Sequence, residues 1–140
     1  MKTQVERYTV SMDGRLLKKF DRMIAARGYA NRSEAIRDLI RGALVEEEWG
    51  KAVEKVAATV TLVYDHHSRH VAERLADIQH HHCGMVVSAT HVHLDNDNCL
   101  EVIILRGRCG QVRDLANELI AAKGVKHGRA VFTTEGRDLQ

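Results

Sequence analysis

Two histidines spaced two residues apart, His91 and His93, are followed by a four-residue polar turn, DNDN, and then by a thiol, Cys99. On a strand, residues two apart share a face, so both imidazoles project the same way. The turn folds the next strand alongside and sets Cys99 beside His93. Two imidazoles and one thiolate on a hairpin are transition-metal donors, and they leave one coordination place for a group from elsewhere. The nearest supply is the run QHHHC, residues 79–83, at the end of the preceding helical stretch. Three nitrogens with one sulfur suit zinc when tetrahedral, and nickel(II) or copper(II) when the site is square, so donor types alone leave the metal open. Glu101 falls on the same face as Cys99 and is expected to orient an imidazole.

The ordinary explanation of a histidine run is an exposed helix end, where imidazolium meets the helix dipole. Lone histidines are ordinarily surface or satisfied core groups, and that explanation is kept for His66, His67 and His70. For His91, His93 and Cys99, agreement of three donors with strand and hairpin phase favours a metal site. A thiol hydrolase built on Cys99 and His93 is the enzymatic alternative. Neither a G-x-S-x-G nor a caspase-like sequence surrounds the thiol, and a coordinated thiolate is tied up as a ligand. The chain is therefore read as a binding protein and not an enzyme. Cys83 and Cys109 are read as structural.

The elements that must position these donors fit a chain of 140 residues, 44% hydrophobic and 29% charged, which is the balance of a soluble globular protein. No long apolar run or export signal is visible, so a cytoplasmic location without membrane contact is expected. Three cysteines, an odd number, argue for reduced thiols. The formal net charge is only +2, so any nucleic-acid contact must come from a local cluster.

The chain has two grammars. In ERYTVSMDG, Tyr8, Val10 and Met12 alternate with Arg7, Thr9 and Ser11, the period of a strand with one apolar face. RLLKKFDRMIAARGY follows with Leu16, Leu17, Phe20, Met23 and Ile24 at helical spacing and Gly28 at the stop. NRSEAIRDLIRGAL opens a second helix, with Asn31 or Ser33 able to cap it and Ile36, Leu39, Ile40, Ala43 and Leu44 forming a stripe. A lone strand leaves its backbone ladder unpaired, so a second chain must supply the other strand. Strand–helix–helix of this kind is the pattern of ribbon-helix-helix dimers, whose outer strand face would carry Arg7, Thr9 and Ser11 to the DNA major groove. From Val60 the order becomes strand, helix, strand, strand, helix, strand, a ferredoxin-like (ACT-like) βαββαβ unit. The fold class expected is thus α+β. Its parts are a DNA-binding and dimerisation domain over residues 1–50, a linker over 51–59 and a metal-binding domain over 60–140, to which the resemblance given next adds tetramerisation.

Taken together, QHHHCGMVVSATHVHLDNDNCLE, RYTVSM and RGYANRSEAIRDLIR closely resemble the NikR family of nickel-responsive ribbon-helix-helix regulators, in register from about Glu6 to Phe132. The resemblance implies square-planar nickel(II), one per subunit, held by His91, His93 and Cys99 of one subunit and His80 of a facing subunit. It implies a homotetramer built as a dimer of dimers, bound to double-stranded palindromic operator DNA and repressing nickel-uptake genes. Gln79 and Glu101 would surround the metal. Arg7, Thr9 and Ser11 match base-reading positions, with Ser11 standing where the family often has Thr. Asn31, Arg32 and Ser33 match a phosphate-binding helix start, and Arg69 matches a nonspecific backbone contact. Glu34 and Asp38 match carboxylates of a cation site between the domains. The rival readings are a ribbon-helix-helix regulator answering to another metal or to a small molecule, and an antitoxin. An ordered metal domain in place of a disordered toxin-wrapping tail counts against the latter.

Overall fold

The computed structural model describes residues 4–48, 54–137 and 139 and divides into two compact units, residues 1–42 and 43–140. The elements run α1 (Gly14–Ala26), α2 (Arg32–Glu48), β1 (Lys55–Asp65), α3 (Arg69–His81), β2 (Val86–His93), β3 (Asn98–Arg108), α4 (Cys109–Ala121) and β4 (Val125–Thr134). None of the described helices is long and apolar enough to cross a membrane.

In the first unit, α1 starts where the Asp13 carboxylate accepts from the backbone N–H of Arg15 and Leu16, at 2.9 and 3.4 Å. These bonds satisfy amides that have no partner inside the helix. The chain leaves α1 through Gly28, whose φ of +80° suits a residue without Cβ. It enters α2 through Asn31, whose side-chain oxygen accepts from Glu34 N–H at 2.9 Å. Ile24 and Ala35 are the buried residues of these helices, while Leu16, Leu39, Ile40 and Leu44 stay exposed. The strand expected at Tyr8–Met12 does not form in the single chain: residues 4–13 carry no regular structure. A strand with no neighbour has nothing to receive its backbone hydrogen bonds.

The second unit is a four-stranded sheet in the order β2-β3-β1-β4, with every neighbouring pair antiparallel. This is the expected βαββαβ unit. On one face Val56, Ala58, Val60, Leu62 and Tyr64 of β1 and Cys99, Ile103 and Leu105 of β3 form a continuous core with Val71 and Leu75 of α3 and Val112, Leu115 and Leu119 of α4. Alternate residues bury because strand side chains point to opposite faces in turn. The same alternation moves a boundary. β1 begins at Lys55 rather than at Val60, because Val56 and Ala58 pair with Gly107 and Leu105 of β3 and are themselves core. Of the linker expected over 51–59, residues 51–53 lie outside the described residues and the last five are strand.

Helix α3 reaches the turn before β4 at Gly124, where φ is +99° and an added Cβ would lie 2.1 Å from Val71 Cγ2. Gly124→Ala therefore meets both backbone strain and overpacking, and should lower the unfolding free energy by about 2 kcal/mol or more in urea denaturation. A value within about 0.5 kcal/mol of the parent would show that α3 gives way there.

Candidate metal centre and DNA-facing residues

The sheet register builds the centre. β2 and β3 pair His91 with Glu101 and His93 with Cys99, and β1 adds Tyr64 opposite Cys99. Directly paired residues share a face, so imidazole, thiol and phenol form one row, and His91 and Glu101 lie in the row beside it. His91 and His93 are exposed at the edge, whereas Cys99 and Glu101 are buried.

Glu101 is the hub. One carboxylate oxygen accepts from Tyr64 O–H at 2.6 Å and the other from Gln79 Nε2 on α3 at 3.0 Å. Tyr64 Oη also lies 3.4 Å from His91 Nδ1, with the two rings edge to face at 6.0 Å. Burial, with the hydrogen bond to Glu101 adding to it, pushes the Tyr64 phenol well above its ordinary pKa, so it stays a donor. Cys99 directs its S–H at the Tyr64 carbonyl, 3.4 Å away, and burial raises its thiol pKa. The His93 ring lies 5.6 Å from His91 and stacks on His66 at 4.5 Å.

Among the described residues of one chain, no three His, Cys, Asp or Glu side chains converge closely enough to hold an ion. The hairpin sets His91, His93 and Cys99 in register on one face of the sheet, and His80 lies in the last turn of α3. The donor types on the hairpin, two imidazoles and a thiol, nonetheless fit nickel(II), and a buried carboxylate network lies behind His91. Nearby, His81 Nδ1 lies 2.7 Å from Asp77 O and His82 pairs with Glu118 at 3.4 Å, so those two are otherwise engaged.

Tyr64 and His66 escaped the sequence reading. Tyr64 passes for an ordinary core aromatic, and only the strand register, pairing it with Cys99, marks it. His66, read as an ordinary surface or satisfied core histidine, is half-buried with its ring stacked on His93.

In the first unit Arg7, Thr9 and Ser11 are exposed ahead of α1. Asn31 caps α2, as described, and Ser33 and Glu34 are exposed in its first turn. Asp38 accepts a hydrogen bond from Tyr29 O–H. Arg32, expected at a phosphate, donates through Nε and Nη2 to both carboxylate oxygens of Asp21 at 2.8 and 2.9 Å, a bidentate brace between α2 and α1. Arg69 opens α3 and is exposed.

The brace has a pH signature. The Arg32 bonds hold the Asp21 carboxyl below its ordinary value. A depressed folded-state pKa stabilises above the unfolded value, about 3.9, and that stability is lost as pH falls through the folded one. Asp21→Asn should lower the thermal midpoint slightly near pH 6, by the small amount an exposed pair contributes. The parent and the variant should converge as pH falls through the lowered folded-state value. A constant gap across that range would dissociate the brace from Asp21 ionisation.

The two units define a ribbon-helix-helix transcriptional regulator joined to a ferredoxin-like metal-binding domain. The model of the ribbon-helix-helix proteins of the CopG family matches residues 6–47, and that of the NikR C-terminal nickel-binding domain matches residues 57–133. The chain belongs to the NikR family of nickel-responsive regulators. It is 55% identical over 133 residues to a relative in Geobacter sulfurreducens and 53% identical over 133 residues to one in Geobacter metallireducens, covering 95% of this chain and 96% of each relative. A relative in Thermococcus onnurineus is 47% identical over 136 residues, 97% of this chain and 99% of its own. All three carry names that assign them to nickel-responsive regulation. Nickel binding by the C-terminal domain and DNA binding by the N-terminal one follow from the family, and the chain is a regulator rather than an enzyme.

Proposed function

We propose that the protein is a homotetrameric repressor of nickel-uptake genes. Each nickel(II) is held by His91, His93 and Cys99 of one subunit and His80 of a facing subunit, one ion per subunit. The observation that carries this reading is the register of β2 on β3, which sets His91 and His93 beside Glu101 and Cys99, with Glu101 gripped by Tyr64 and Gln79. Cys99 binds as the thiolate and gives up the proton it now directs at the Tyr64 carbonyl. His91 is oriented by Tyr64, and Gln79 ties α3 to the same carboxylate. The bound ion supplies strong, directional bonds that join donors from two chains.

Two separate apolar surfaces support two kinds of subunit contact. On the first helices Leu16, Leu39, Ile40 and Leu44 are exposed, with Ile40 and Leu44 one turn apart, which suits a ribbon-helix-helix dimer. On the outer face of the sheet Val87, Val92, Ile104 and Val131 are exposed, which suits pairing of metal-binding domains. Arg7, Thr9 and Ser11 read bases of a palindromic operator. Asn31, Ser33 and Arg69 approach phosphates, as does Arg32 if DNA releases it from Asp21. Glu34 and Asp38 contribute to a cation site between domains in the DNA-bound state. Nickel favours arrangements of the tetramer that meet both half-sites, and by linkage DNA binding tightens nickel. Such a regulator acts in the cytoplasm.

The test is affinity for a palindromic operator during nickel(II) titration in chelated buffer, with the assembly mass followed by sedimentation. Operator binding that tightens with nickel in a four-subunit species is expected. No response to nickel together with a response to zinc, copper or an amino acid would replace the assigned signal.

A further inference from the structure

His91 and His93 are oriented by different means. His91 has the Tyr64 hydroxyl beside its Nδ1. His93, among the described residues, has only ring contacts, and the closer one is a near-parallel stack on His66, centroids 4.5 Å apart and planes 10° apart. His66 is itself fixed. Its Nε2 lies 2.7 Å from the carbonyl oxygen of Asn96, at the tip of the β2–β3 hairpin, and its backbone N–H donates to Asp97 O at 3.0 Å. A carbonyl only accepts, so this nitrogen carries a hydrogen. His67 Nε2 reaches the same Asn96 oxygen at 2.9 Å, and its ring lies 4.1 Å from that of His66. The loop that leads into α3 is thus clamped onto the hairpin, with one flat face of His66 laid over His93.

We propose that His66 is the positioning residue for His93: anchored on the Asn96 carbonyl, its ring holds the His93 imidazole in a defined plane and so prepares that nitrogen for the metal. The inference rests on the reading of His93 as a nickel ligand. A ring free to rotate must be ordered when the ion binds, whereas a ring already stacked has less freedom to lose. The contact also gives α3 a second tie to the centre, at the end opposite Gln79.

The experiment is nickel(II) affinity of the full chain, measured by competition with a chelator, with the nickel absorption spectrum and stoichiometry, for the parent, His66→Ala, His66→Phe, His66→Gln and Cys99→Ala. His66→Ala should weaken nickel binding roughly tenfold, the lower end of the range for residues that orient a ligand, and shift the spectrum at unchanged stoichiometry. His66→Phe keeps a flat ring over His93 and should recover most of that loss. His66→Gln keeps a donor for the Asn96 carbonyl but no ring, and should resemble His66→Ala. Parent-like binding by His66→Ala would overturn the proposal, as would His66→Phe no better than His66→Ala. Loss of one nickel equivalent in His66→Ala would overturn it in another way, by making His66 a ligand. If Cys99→Ala binds nickel like the parent, the metal centre itself fails and the positioning role falls with it. If Cys99→Ala is inert and His66→Ala is normal, only the positioning role fails.

Discussion

Cys99→Ala is expected to abolish the effect of nickel on operator binding while leaving both units folded. Cys99 is fully buried between Tyr64 and His93, so its loss trims a small side chain from the core, at a cost of about 1 kcal/mol. It removes the only sulfur donor on the hairpin, and two imidazoles cannot replace a thiolate. Nickel affinity should fall by on the order of a hundredfold or more, beyond the effect of removing a residue that merely orients a ligand. The variant should bind operator at the parent's nickel-free level at every nickel concentration. Retained nickel-dependent repression with native sedimentation would remove Cys99 from the donor set.

Val10→Asp is expected to do the reverse: operator binding disappears whatever the nickel concentration, while nickel uptake persists. Tyr8, Val10 and Met12 are the apolar side of the N-terminal segment, and in a single chain they are 65%, 58% and 41% exposed. Pairing two such segments about a two-fold axis places the apolar sides together over the helices and the Arg7, Thr9 and Ser11 sides outward. An aspartate on the inner side would enter that interface twice, once from each chain, as an unpaired buried charge costing roughly 3–5 kcal/mol per copy. The metal-binding domain is a separate compact unit with its own core, so its donors should remain in place. DNA affinity close to the parent's would mean that this segment does not form the intersubunit ribbon.

Several features depend on local pattern and were legible directly. His91, His93 and Cys99 share a face because strand period and hairpin length are local properties. The βαββαβ order follows from apolar periods of two and of about four, whereas the strand expected at Tyr8–Met12 is not formed in the single chain, where its backbone has no neighbour to bond. The start of β1 was misplaced because Lys55–Thr59 looks charged and alanine-rich beside the following VTLVY; what makes Val56 and Ala58 strand is their pairing with β3, far along the chain.

Around the centre, the amino-acid order determined the donors and their phase, and tertiary structure decided how each is held. The grip on Glu101 joins Tyr64, 37 residues away, and Gln79, 22 residues away. The His66 ring reaches His93 only because the loop after β1 bonds to the tip of the hairpin. Arg32 meets Asp21 only because α1 and α2 pack against each other. Local spacing settles which side of an element a residue occupies. Which polar partner it finds is settled by burial and by the cost of leaving a donor or acceptor unpaired, and those costs depend on chain segments brought together by folding.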